Sequence, residues 1–127
     1  GWISQALNYM NSDPKLESVF VGNKTHKNFW ENKKNSYYRL TDWMKVYSSR
    51  QVRQPVFRED TGLTCLSKSN LWREMKRIGD NVLIIEDYRF ETAIDIHSKF
   101  DLDLANIVFD MIANERPHDL PPIPQQI

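Results

Sequence analysis

The stretch spanning residues 63–96 constrains the fold most strongly, because it combines one helical pattern with two strand-like runs. Leu71, Met75 and Ile78 follow one another at the spacing of one helix face, and most of the basic residues fall outside that stripe. Gly79 comes next, at a position where helix C-termini favour glycine. This pattern predicts a basic amphipathic helix that ends at Gly79.

Two apolar runs follow this helix. Residues 82–85 are continuously apolar, and the alternation of side chains over residues 88–96 predicts a second strand. A basic helix followed by a β-hairpin is the layout of a helix-turn-helix with a wing. The sequence therefore predicts an α+β fold, a compact and mostly helical domain with a small antiparallel β-hairpin in a winged-helix-like arrangement.

Two more helices are predicted on either side of this stretch. Residues 36–48 keep apolar and aromatic side chains at helical spacing, with Ser36 as the cap. The last helix covers about residues 98–114, with Ser98 and Asp101 as cap candidates. The acidic residues near its start also suit the helix dipole.

The ends of the chain set the predicted domain boundaries. Residues 2–10 form a short amphipathic piece, and residues 16–21 are compatible with either a strand or a brief helix. Pro117 ends the last helix, because proline lacks the donor that a helix requires. We expect one globular winged-helix-like domain over residues 1–116 and a proline-rich extended tail over residues 117–127.

The predicted core consists of the apolar residues that these helices and strands turn inward. It comprises Trp43, Met44, Tyr47, Leu71, Met75, Ile78, Val82, Ile84, Phe90, Ile94, Val108 and Ile112.

Composition limits the class of protein. The 127 residues are enough for one domain with a real core, and 40% of them are hydrophobic. No apolar run approaches the roughly 20 residues of a membrane helix, so we expect no membrane partner. Cys65 is the only cysteine, which excludes a disulfide framework and a cysteine metal cluster. An intracellular location, nuclear or cytoplasmic, is therefore expected.

The net charge of zero hides a division between the two halves of the chain. Residues 1–79 carry 14 Lys and Arg against 7 Asp and Glu, whereas residues 80–127 carry 3 against 10. A basic half suits a polyanion, and an acidic half suits a basic partner or an internal counter-surface. A fold that mixes the two halves would instead have no separation of positive and negative surface charge.

The basic residues supply the candidate nucleic-acid contacts, because a recognition helix needs basic and amide side chains on its outward face. The residues expected to face bases are Lys68, Ser69, Asn70 and Arg73. Those expected to reach phosphate are Lys76 and Arg77. Three further basic candidates in the first half are Lys33, Lys34 and Arg39.

Aromatic residues interleave with basic ones over residues 27–45, a composition that can stack bases and neutralise phosphates. Trp30, Tyr37, Tyr38 and Trp43 are the aromatic members. Because Tyr37 and Trp43 also fit helical spacing, a role in the core is the favoured alternative.

The sequence contains no local catalytic motif, so we expect neither an enzyme nor a cofactor. The most enzyme-like cluster is Asp95, His97, Asp101 and Asp103, which could hold a divalent metal. A strand end leading into a helix cap explains the same residues better, and we expect no metal.

We therefore predict a non-catalytic binding domain that contacts nucleic acid, DNA in preference to RNA, through its basic helix and basic N-terminal half. The alternative is a protein interaction or oligomerisation module that uses the acidic C-terminal half and the edge of the predicted hairpin.

Overall fold

The computed structural model describes residues 1–41 and 53–120. The chain divides into two compact units, Gly1–Tyr88 and Arg89–Ile127. The first unit contains, in chain order, α1 (Trp2–Ser12), β1 (Ser18–Thr25), β2 (Trp30–Lys33), β3 (Ser36–Arg39), β4 (Val56–Glu59), β5 (Cys65–Ser67), α2 (Ser69–Arg73) and β6 (Val82–Asp87). The second contains a 3-10 turn (Glu91–Ala93), α3 (Lys99–Glu115) and a further 3-10 turn (Pro117–Asp119). The α+β class is confirmed, but the helices do not dominate the described residues.

β1 is the central strand of the first unit. Along one edge it pairs in parallel with β6, from Ser18 opposite Val82 to Asn23 opposite Asp87. Its other edge is shared by two short antiparallel strands, β5 beside its first half and β4 beside its second half. Between them the Val21 amide donates to the Thr64 carbonyl oxygen at 3.1 Å. Both edges of β1 are therefore satisfied almost continuously, as a buried backbone requires.

The core of the first unit lies between β1 and α1. Val19 and Val21 are fully buried and belong to one cluster with Ala6 of α1 and Ile85 of β6. Trp2 and Met10 lie one helical turn or so before and after Ala6, so the three form one stripe that packs on this cluster. Both predictions for this region, an amphipathic start and a strand near residue 20, are confirmed, and the alternative of a brief helix is excluded.

The predicted basic helix ends six residues earlier than expected, at Arg73 instead of Gly79. Met75 adopts φ 61°, and the Lys76 amide donates to the Leu71 carbonyl oxygen at 2.8 Å. Together with the 3.1 Å bond from the Met75 amide to Trp72, this is a Schellman ending with methionine in the left-handed position. The spacing of apolar residues was therefore a misleading signal beyond Arg73.

The predicted wing is also wrong. β6 pairs with β1 instead of folding back on a following strand, and residues 91–93 form a 3-10 turn where the second strand was expected. A parallel partner about sixty positions away cannot be recognised from a local pattern. The winged-helix arrangement is accordingly not confirmed.

The predicted helix over residues 36–48 begins instead as a strand. β3 occupies Ser36–Arg39 and pairs antiparallel with β2. The rest of that prediction, from residue 42 onward, lies outside the described residues.

The predicted core is only partly correct. Leu71 and Ile112 are buried, whereas Met75 is 94% exposed and Phe90 is exposed. The remaining predicted members divide between those that are half-buried, namely Ile78, Val82, Ile84, Ile94 and Val108, and those outside the described residues, namely Trp43, Met44 and Tyr47.

The last predicted helix is confirmed within the second unit. α3 starts after Ser98, whose hydroxyl accepts a hydrogen bond from the Asp101 amide while the Asp101 carboxylate accepts one from the Ser98 amide. This capping box is the signal that the sequence offered. The helix ends at Glu115, just before Pro117, and residues 121–127 of the predicted tail lie outside the described residues.

Gly22 should be intolerant of a side chain, because β1 is packed closely at that point. A Cβ there would stand 2.6 Å from Ile84 Cγ2 and 3.2 Å from the Arg58 carbonyl oxygen. Gly22→Ala is expected to reduce the free energy of unfolding by about 1–3 kcal/mol through overpacking. Gly62→Ala is the control, since a Cβ there meets no atom within 4 Å. Equal denaturant midpoints for the two variants would contradict this view of the sheet.

Candidate nucleic-acid interface

The residues predicted to bind nucleic acid fall in two segments of the first unit. One group surrounds α2 and comprises Lys68, Ser69, Asn70, Arg73, Lys76 and Arg77. The other lies in the hairpin made by β2 and β3 and comprises Lys33, Lys34 and Arg39.

α2 is too short to act as a recognition helix. Its five residues make about 1.4 turns, so its side chains do not form one extended outward row. The Lys68 ammonium donates to the Pro14 carbonyl oxygen, and Lys76 pairs with Glu74 at 3.4 Å. The prediction of a continuous basic helix face is therefore wrong. Contact of these residues with nucleic acid stays a prediction.

The β2–β3 hairpin is a separate two-stranded sheet, and it lies in the chain between β1 and β4 of the central sheet. Thr25, the last residue of β1, is the register partner of Val56, the first residue of β4. The chain thus leaves the sheet after Thr25 and rejoins it at Val56, at paired positions of neighbouring strands. A segment anchored at both ends on a rigid scaffold is the usual setting for a binding surface.

The turn of this hairpin is built by two residues with positive φ. Lys34 has φ 51° and Asn35 has φ 64°, the combination found in the type I′ turn that suits the twist of a two-residue hairpin. The Asn32 side-chain oxygen accepts a hydrogen bond from the Asn35 amide at 3.2 Å. Asn35 tolerates this backbone region well, whereas Lys34 is held there at some energetic cost.

One face of the hairpin combines aromatic rings with a cation. Trp30 is opposite Arg39 and Asn32 is opposite Tyr37, so these four residues share what we call the Trp30 face. The Arg39 guanidinium carbon lies 4.3 Å from the centroid of the Trp30 ring, a cation–π contact. Trp30 is nevertheless 54% exposed and Tyr37 is 70% exposed. Ring surface thus remains available on both.

The opposite face has different chemistry. It carries Glu31, Lys33, Ser36 and Tyr38, and we call it the Glu31 face. Lys33 Nζ lies 2.8 Å from Glu31 Oε1, so its charge is locally compensated. Tyr38, which is 52% exposed, stands directly opposite the Glu31 carboxylate. The cation of this face is therefore paired with a carboxylate, whereas the four residues of the Trp30 face include no carboxylate.

Positive charge is concentrated around the hairpin. Residues 26–41 carry four basic side chains and one acidic one, a net charge of +3. The first unit as a whole has 14 basic and 10 acidic residues, and the second has 3 and 7. The two units therefore have net charges of +4 and −4, a smaller difference than the +7 and −7 of residues 1–79 and 80–127.

Trp30 and Tyr37 were named as rings able to stack bases but were not among the predicted binding residues, and a core role was favoured for Tyr37 because its spacing fitted a helix. The alternation of side chains around Lys34 and Asn35 was the signal for a hairpin, since asparagine is a preferred residue at positive φ. Both rings are exposed in the structure, so the core assignment of Tyr37 is wrong.

The cluster around the start of α3 has local structural partners. Asp101 belongs to the capping box, and Lys99 Nζ lies 2.7 Å from Asp103 Oδ2. His97 Nε2 lies 2.8 Å from Asp95 Oδ2. Within residues 1–41 and 53–120, no group of three or more His, Cys, Asp or Glu is arranged to hold a metal ion.

Comparison with known proteins gives no family assignment. No protein-family model matches this sequence, and no curated protein matches it. In the part of the chain that the structure describes, no helix has both the length and the apolar character needed to cross a membrane.

The cap of α3 should be sensitive to acid. The hydrogen bond from the Ser98 hydroxyl, followed by that from the His97 amide, lowers the pKa of Asp101 below its ordinary value of 3.8. A lowered folded-state pKa adds stability above the ordinary value, and this stability is lost as pH falls through the lowered pKa. We expect helicity measured by circular dichroism to decline over that acidic range.

Asp101→Asn should remove this component of the acid transition and reduce helicity at neutral pH. Asp110→Asn is the matched control, because Asp110 lies on the same helix beyond the cap. Indistinguishable titration curves for wild type and Asp101→Asn would show that the cap does not carry the effect.

Proposed function

We propose that this chain binds nucleic acid without catalysing a reaction on it, and that the β2–β3 hairpin is its main contact surface. The observation behind this proposal is the Arg39 guanidinium stacked over the exposed ring of Trp30. Tyr37 completes a face that carries two aromatic rings, one cation and no carboxylate.

Charge supports a polyanionic partner. Lys34 is at the tip of the hairpin, and no described acidic side chain forms an ion pair with it. Arg39 contacts the Trp30 ring, and no carboxylate within residues 1–41 and 53–120 forms an ion pair with it. Both cations can therefore neutralise phosphates, and the release of counterions would drive association.

The structural setting supports binding as well. The exposed rings contribute little to the core of the first unit, which is formed by α1, β1 and β6. A group of exposed rings on one face, unlike a single exposed apolar residue, can mark a surface that contacts a partner. Nucleic acid is the partner that uses ring faces and positive charges together.

Binding should depend steeply on salt and on the two hairpin cations Lys34 and Arg39. We expect a dissociation constant of about 1–100 micromolar at moderate salt, as for other non-specific complexes. Lys34→Asn combined with Arg39→Gln should weaken binding and reduce the slope of log affinity against log salt by about 1.5, the loss of two phosphate contacts. Asparagine is chosen at Lys34 because it tolerates the positive φ. Fluorescence anisotropy with labelled DNA and RNA oligonucleotides measures both quantities.

Lys76→Gln combined with Arg77→Gln provides the matched control after α2. This pair removes the same number of charges from the segment in which a recognition helix was predicted. If it reduced the salt slope while the hairpin pair did not, the contact surface would be the α2 segment. Absence of binding to DNA and RNA at low salt would contradict the proposed function altogether.

The second candidate function is protein interaction through the acidic second unit. Its α3 helix leaves Phe100, Ile107, Phe109 and Met111 exposed, and the unit has a net charge of −4. Apolar surface surrounded by acidic groups suits a basic protein partner. Failure of all oligonucleotide binding would favour this candidate.

A further inference from the structure

We infer that the hairpin selects unpaired, extended single strands, with one base stacked on Trp30 and a neighbouring base stacked on Tyr37. This inference rests on the proposed function, which requires only that nucleic acid binds. It adds that the nucleic acid is single-stranded, and it names the residues that distinguish a single strand from a duplex.

The spacing of the two rings requires an extended strand. Tyr37 and Arg39 are two residues apart along β3, and Arg39 is opposite Trp30. Two residues along a strand span about 6.6 Å, and diagonal cross-strand neighbours are about 7–8 Å apart. Successive bases in a duplex rise by only about 3.4 Å. Bases placed on Tyr37 and Trp30 would therefore be unstacked from each other.

Ring stacking also requires unpaired bases. In a duplex each base face is covered by its neighbours, so a protein contacts base edges and phosphates. A two-stranded ribbon can enter the major groove, but the side chains that pair with base edges there are polar or charged. Trp30 and Tyr37 occupy the same face as Asn32 and Arg39, and their exposed ring surface would have no stacking partner in that groove.

The two faces of the hairpin are not equivalent for this purpose. On the Trp30 face, Arg39 lies beside both stacking positions and can contact the phosphate that links the two bases. On the Glu31 face, the register partner of Tyr38 is Glu31, whose carboxylate pairs with Lys33 at 2.8 Å, so the cation of that face is already engaged and is not free to hold a phosphate beside Tyr38. The base-stacking role therefore belongs to Tyr37 and not to Tyr38, although the two residues are adjacent and chemically identical.

Because Tyr37 and Tyr38 are adjacent but lie on opposite faces, variants of the two residues can be compared directly. The full chain is titrated with a single-stranded oligonucleotide of about 15 residues, with the matching duplex, and with an abasic strand of the same length. DNA and RNA both offer stacking bases and phosphates, so the single strand is tested as DNA and as RNA to determine which one binds more tightly. We expect the single strand to bind about tenfold more tightly than the abasic strand, because stacking is lost with the bases. The duplex should also bind more weakly than the single strand.

Tyr37→Thr should reduce single-strand affinity by about tenfold and leave binding to the abasic strand unchanged. Tyr38→Thr is the matched control and should change affinity by less than about twofold, since threonine also suits a strand. Tyr37→Phe keeps the ring and should retain wild-type affinity. Weak binding by Tyr37→Thr together with normal binding by Tyr37→Phe would show that the ring, and not the hydroxyl, carries the interaction.

Two results would overturn the inference while leaving the proposed function intact. One is equal affinity for single strand, duplex and abasic strand, and the other is an equal effect of Tyr37→Thr and Tyr38→Thr. Absence of binding to every oligonucleotide would overturn both the inference and the proposed function.

Discussion

The pairing of both edges of β1 is the interaction on which the rest of the first unit depends. β6 fills one edge in parallel, while β5 and β4 divide the other. Buried main-chain groups need partners, and this strand obtains them from three separate segments of the chain. Ser18, fully buried at its start, also accepts a hydrogen bond from the Gly79 amide at 3.0 Å. The irregular segment after α2 is thereby attached to the sheet.

The same pairing fixes the two points of the central sheet between which the exposed hairpin lies in the chain. β1 ends at Thr25 and β4 begins at Val56, and these two residues are paired, so β2 and β3 lie in the chain between two fixed positions of the sheet. The strands of the hairpin therefore do not need to contribute to the core, and their aromatic residues are free to remain at the surface. The Trp30 face combines this exposure with the preformed Arg39 contact, which reduces the ordering that binding would require.

Local signals predicted the parts of the fold that local interactions form. The capping residues of α3 and the apolar stripe of α1 were readable because each helix satisfies its own backbone. The parallel pairing of β6 was not readable, since it joins distant segments. The hairpin was missed because Tyr37 and Leu40 fitted a helix and because its turn uses Lys34–Asn35 and not a glycine. The end of α2 was missed because Met75, and not Gly79, takes the left-handed position. The basic residues of the hairpin remain predicted contacts, whereas Tyr37 beside them was favoured as a core residue and is exposed.

The most direct test of this account is an NMR titration of the full chain with a single-stranded oligonucleotide, following backbone amides and the Trp30 indole. Binding through the Trp30 face predicts the largest shift changes at Trp30, Tyr37 and Arg39, with ring stacking moving the Trp30 indole signal upfield. The residues from Lys68 to Arg77 should change little. Shift changes concentrated in that second segment, with the hairpin signals unmoved, would contradict it.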